Sequence, residues 1–136
     1  MIVADTSGLL AFFDRGEPEH QAVSEAVARS AGPLMVSPYV VAELDYLLGT
    51  RIGVAQELAV LRELSGGAYV LPEFGAADLV RASEVIERYR DQGIGVADAS
   101  IVVLAERYST RRLLTLDRRH FGVLRPAQGG RFTLLP

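Results

Sequence analysis

Apolar residues follow two rhythms along this chain. Short apolar runs occur at residues 2–4, 34–36, 69–71, 113–114 and 132–135, the last interrupted by Thr133, the pattern of buried strands. Between them, residues 18–29, 38–48, 54–64, 76–90 and 96–108 carry apolar positions three or four apart, as amphipathic helices do. In the fourth of these segments the stripe is Leu79, Ala82, Ile86 and Tyr89. Ser37-Pro38 adds a start signal: a hydroxyl that caps free first-turn amides, then a proline whose fixed φ suits the first helical position. Gly66-Gly67 and Gly93-Ile94-Gly95 punctuate the connections. Strands alternating with helices predict an α/β fold, a parallel sheet covered on both faces. At 136 residues, with no linker, repeat or low-complexity tract, one domain spanning 1–136 is expected.

Carboxylates interrupt the apolar pattern at four places. Asp5 ends the first run and Asp117 follows Leu113-Leu114-Thr115-Leu116, so both are expected at carboxyl ends of strands, the edge along which open α/β sheets bind ligands. On a helical wheel Asp98 falls between Val102 and Ala105, inside the apolar arc of its own helix. Glu43 and Asp45 flank the stripe Val40, Leu44, Leu47, Leu48 at similar angles, and spacing does not choose between them. A lone buried carboxylate is costly or takes up a proton, so several together point to a shared counter-charge. Thr6 and Ser7 follow Asp5 with two hydroxyls, and Ser7 is expected to cap the helix that comes next.

Composition narrows the chemistry. There is no cysteine, which removes disulfides, thiolate zinc sites, iron–sulfur clusters and cysteine nucleophiles. All 14 basic residues are arginine, and without lysine there is no Schiff base and no lysine of a phosphate-binding loop. The net charge of −3 conceals an asymmetry, because residues 110–136 carry six arginines against Asp117 alone. That tail is either a solvated basic edge or a phosphate-binding rim beside the acids. The first residues lack a basic leader and no apolar run approaches the roughly 18 residues that span a bilayer, so a cytoplasmic protein without membrane association is expected.

Mg²⁺ and Mn²⁺ prefer carboxylate oxygens and water, and clusters of acids hold such ions for phosphodiester cleavage by an activated water. Histidine-based ribonuclease chemistry has only His20 and His120 to draw on, one in an early helical segment and one in the basic tail.

With Asp5-Thr6-Ser7 after an apolar strand, Ala42-Glu43-Leu44 within residues 37–44, Val96-Ala97-Asp98-Ala99 opening a helix and Thr115-Leu116-Asp117-Arg118-Arg119-His120-Phe121 near the end, the sequence resembles the PIN-domain nucleases, VapC-type toxins above all. The resemblance covers essentially the whole chain. It implies a three-layer α/β/α sandwich with a five-stranded parallel sheet, and an acidic site at Asp5, Glu43, Asp98 and Asp117 that takes Glu43 over Asp45. It implies metal binding first by Asp5 and Asp98, then by Glu43 and Asp117, with Thr6 and Thr115 as supporting hydroxyls. It further implies a Mg²⁺- or Mn²⁺-dependent endoribonuclease acting on structured RNA (tRNA or rRNA), a homodimer, and a cognate antitoxin. On this reading Arg112, Arg118 and Arg119 flank Asp117 and hold RNA phosphates, while Val23 and Val27 serve either the core or the antitoxin. The alternatives are an RNA-processing PIN nuclease without an antitoxin, and a noncatalytic RNA- or partner-binding domain. A haloacid-dehalogenase-type phosphatase would want a second aspartate where Ser7 stands.

Overall fold

In the computed structural model, which describes all 136 residues, strands and helices alternate from the first residues onward. The elements are β1 (Ile2–Ala4), α1 (Thr6–Phe13), α2 (His20–Arg29), β2 (Leu34–Val36), α3 (Pro38–Arg51), α4 (Val54–Ser65), α5 (Ala76–Arg88), α6 (Val96–Arg107), β3 (Arg112–Leu114), α7 (Arg118–Phe121) and β4 (Thr133–Leu135). A 3₁₀ turn, Arg90–Gln92, links α5 to the approach of α6.

The sheet is wholly parallel, in the order β2-β1-β3-β4. Successive side chains of a strand point to opposite faces, and Ile2, Val3 and Ala4 are all buried, so both faces of β1 lie under helices. From β1 the chain moves to one neighbour, β2, and later returns to the other side as β3. The boundary between β1 and β3 is therefore a topological switch point, the place where ligands enter open α/β sheets. Asp5 and Asp117 follow the two strands that border it.

The sheet has four strands, not five. Residues 69–71 contribute only a bridge between Val70 and Met35. Val70 donates to Leu34 O and accepts from Val36 N, both at 2.9 Å, but Pro72 follows at once without a backbone N–H and Leu71 turns to solvent. The fifth strand thus shrinks to one residue on the outer edge of β2.

Seven consecutive residues of α6, Ala99 to Ala105, are buried, so this helix is enclosed on all sides. It packs against α3, α5 and β1. In α5 the stripe turns inward at Ala82, Val85 and Ile86, whereas Leu79 in its first turn is exposed. On the other flank α1 crosses β3 so closely that a Cβ at Gly8 would stand 2.5 Å from Leu114 O. Val23 is fully buried and Val27 packs against the same core, which assigns both to packing. No helix is long and apolar enough to cross a membrane.

Candidate active site

Asp5 leaves β1 in an extended conformation (φ −91°, ψ 158°) as the N-cap residue of α1, and its carboxylate is buried. Two hydroxyls donate to the same oxygen, Oδ2: Ser7 Oγ at 2.7 Å and Thr115 Oγ1 at 2.8 Å. The hydroxyl oxygens in turn accept backbone amides, Leu116 N–H onto Ser7 at 3.0 Å and Asp117 N–H onto Thr115 at 2.9 Å. Ser7 is therefore a strut between Asp5 and the segment after β3, and not the helix cap expected from its position. Burial pushes the Asp5 carboxyl upward from its ordinary value. The Ser7 and Thr115 hydroxyls and the Thr6 amide pull it back, and the charge of Asp117 adds to the rise.

Thr6 contributes that amide; its own Oγ1 is buried without a hydrogen-bond partner. Thr115, by contrast, donates directly to Asp5 through its Oγ1.

Asp98 stands at the third position of α6 and is half-buried. Its carboxyl is pushed up to about 6, first by burial and then by the charge of Asp5, with Asp117 and Glu43 adding to the rise and His120 opposing it. The charges of Asp5, Asp117 and Glu43 thus all bear on Asp98. Glu43 reaches this field from the exposed side of α3, whereas Asp45 shares a hydrogen bond with Glu57 of α4. Of the two acids that helical spacing left open, Glu43 is the one whose charge bears on Asp98.

Asp117 caps α7, and both of its carboxylate oxygens are engaged by His120: Oδ1 accepts the backbone amide at 2.9 Å and Oδ2 lies 2.8 Å from Nδ1. His120 Nε2 stands 3.0 Å from Gln92 O, so the imidazole bridges the acidic edge to the 3₁₀ turn. Neither Gln92 nor His120 was named as a site residue from the sequence. The i, i+3 spacing of Asp117 and His120 was the available signal.

The basic tail divides. Arg118 and Arg119 sit on α7 beside Asp117, both exposed, with Arg118 donating to Pro136 O at 3.0 Å. Arg112 does not flank the acids: it opens β3 at the amino ends of the strands and reaches Ser30 Oγ at 3.1 Å and Ala31 O at 3.5 Å. Five residues of sequence proximity to Asp117 become a strand's length of separation, because an extended chain carries its two ends to opposite edges of the sheet.

Residues 2–124 match the PIN domain family. The chain belongs to the PIN-domain family. It is 62% identical over 135 residues to ribonuclease VapC26 of Mycobacterium tuberculosis, covering 99% of this chain and 100% of that protein. The fold is similar to that of the M. tuberculosis toxin VapC20, which cleaves the sarcin–ricin loop, with a TM-score of 0.85 at 19% identity over the full length of both chains. It is also similar to FitAcB from Neisseria gonorrhoeae, with a TM-score of 0.65 at 18% identity over 100% of this chain and 97% of that one.

As a VapC-type PIN domain the chain presents its acids on an open edge. A surface cavity of about 620 Å³ lies between α5, the distal half of α6 and residues 125–127, and contains none of them. No three acidic or histidine side chains stand close enough, as they are, to enclose an ion between them. The donor set nevertheless fits a hard divalent cation, since Mg²⁺ is commonly held by one or two carboxylates with water completing its shell. Burial and the neighbouring acids together lift Asp98 to about 6, and a bound cation would favour its ionised form against both.

Proposed function

We propose that this PIN domain is a Mg²⁺- or Mn²⁺-dependent endoribonuclease, the toxin of a toxin–antitoxin pair, cutting structured RNA of the tRNA or rRNA class. The observation that carries the reading is the buried Asp5 carboxylate, held on Oδ2 by Ser7 and Thr115 and surrounded by the charges of Asp98, Asp117 and Glu43 at the switch point of the sheet. The 62% identity to a protein named as a ribonuclease supports RNA as the substrate.

Asp5 and Asp98 are the first candidates to hold the cation, with Glu43 and Asp117 at the margin of the same field. When bound, the ion supplies positive charge against the phosphate and acidifies a water for attack on phosphorus. The chain's own part is orientation. Ser7 and Thr115 fix Oδ2 of Asp5 and leave its other oxygen free of side-chain donors, while His120 fixes Asp117 by two bonds. Arg118 and Arg119 stand on α7 where an incoming backbone phosphate would pass, and they position RNA without reading its bases. Exposed Tyr46, Val54 and Leu58 on α3 and α4 leave apolar surface for an antitoxin or a second copy of the chain.

Purified protein incubated with total RNA and Mn²⁺ should produce discrete fragments bearing 5′-phosphates. Cleavage should vanish with EDTA and in Asp5→Asn. Fragments that persist under either condition would sink the metal-dependent reading.

A further inference from the structure

Two serines that take no part in the acidic site form the one side-chain hydroxyl link between the helices that carry Glu43 and Asp98. Ser37 Oγ and Ser100 Oγ lie 2.7 Å apart, both fully buried, across 63 residues of sequence. The direction of each proton is fixed by the neighbours. Ser100 donates to Ala97 O at 2.6 Å, and Ser37 accepts the Tyr39 amide at 3.2 Å. The proton between the two oxygens therefore belongs to Ser37, and the chain runs Tyr39 N–H to Ser37, Ser37 to Ser100, Ser100 to Ala97 O.

This chain joins the N-cap of α3 to the first turn of α6. Its α6 end brackets Asp98, with Ala97 before it and Ser100 two residues beyond it. Its α3 end starts the helix on which Glu43 lies less than two turns further along. Apolar contacts between α3 and α6 would tolerate sliding; a satisfied buried hydroxyl pair does not, because separating the oxygens strands a donor away from water.

We propose that Ser37 and Ser100 are a positioning pair that sets the spacing of Glu43 and Asp98 and thereby the affinity of the acidic edge for a divalent cation. The proposal rests on the metal-dependent reading given above. Neither serine touches RNA or the ion; each acts through the acid on its own helix.

The test is Mn²⁺ binding to the full chain by titration calorimetry, without RNA, for wild type, Ser37→Ala, Ser100→Ala and the double variant, each at a temperature where its melt shows it folded. Each single variant should weaken Mn²⁺ binding about 10-fold, the scale on which residues supporting metal ligands act. The double variant should be no weaker than either single one, because both remove the same link. In RNA cleavage the Mn²⁺ concentration for half-maximal rate should rise by the same factor, while the KM for RNA at saturating Mn²⁺ stays within about twofold. A merely structural role would lower the melting temperature and leave Mn²⁺ affinity unchanged, and that result overturns the proposal. Ser100→Ala keeps the helix cap of α3 and decides the matter alone if Ser37→Ala does not fold. Wild-type protein that neither binds Mn²⁺ nor cleaves RNA would instead overturn the nuclease reading, and the pair's role with it.

Discussion

His120 grips Asp117 twice, through its backbone amide onto Oδ1 at 2.9 Å and through Nδ1 against Oδ2 at 2.8 Å. Its other ring nitrogen faces Gln92 O at 3.0 Å. A carbonyl only accepts, so Nε2 carries a hydrogen; an ionised carboxylate only accepts, so Nδ1 carries one too. Acceptors on both ring nitrogens favour the imidazolium, and the bond to Asp117 raises the His120 pKa above its ordinary 6.5.

A histidine whose folded pKa is raised lends stability that is complete below its unfolded value and is lost as pH rises through the folded one. Thermal melts of wild type should therefore lose ground to His120→Gln as pH climbs from about 6.5 upward. Parallel stability profiles for the two proteins would show that the ring is not held as a cation.

Asp98 runs in the same direction with pH, but as a penalty gained and not a contribution lost. Its folded pKa of about 6 lies above the ordinary 3.8, so the folded state holds the proton more tightly and wild-type stability falls as pH rises through that interval. Asp98→Asn should be more stable than wild type at pH 7 by about 1–2 kcal/mol, the shift being discounted for partial exposure. The advantage should vanish at pH 3.5 and shrink when Mn²⁺ is added, since the ion stabilises only the protein that binds it. An unchanged melting temperature at pH 7 would contradict the strain assigned to this carboxylate.

Ser7 and Thr6 are adjacent and similar, yet removing their hydroxyls should have opposite effects. Ser7→Ala takes one of two donors from Asp5 Oδ2 and leaves the Leu116 amide without its acceptor, a loss of about 1–3 kcal/mol in urea unfolding. Thr6→Val replaces a buried hydroxyl that has no partner by a methyl of the same shape, and stability should hold or rise by up to about 1 kcal/mol. Equal losses would mean that Thr6 Oγ1 makes a bond the structure does not contain.

The sequence rhythm located the elements that matter because their signals are local. Ser37-Pro38 starts α3 as expected, with Ser37 accepting the Tyr39 amide, and the apolar arc around Asp98 anticipates the helix that turns out to be buried on all sides. What escaped is non-local. The run at 69–71 has strand composition, but Pro72 and the exposure of Leu71 limit it to one paired residue. Ser7 looks like a cap until β3 brings Thr115 and Leu116 to it across more than a hundred residues. Arg112 is near Asp117 along the chain and far from it in the sheet, a distinction visible only once β3 is known to be extended between them. Helix α7 escaped for a different reason, since four residues offer too short a window for any periodicity.

The bond from Thr115 to Asp5 spans 110 residues, and β1 has β3 as one of its two neighbours. A ribosome releases this chain from the amino end, so Asp5 emerges early while Thr115, Asp117 and His120 are still to be made. Until they arrive, the first carboxylate has Ser7 but not Thr115 as a donor, and the central strand has β2 but not β3 as a neighbour. The acidic edge is thus a product of late synthesis: a nascent chain that stops short of residue 115 has the first carboxylate but not the edge to which it belongs.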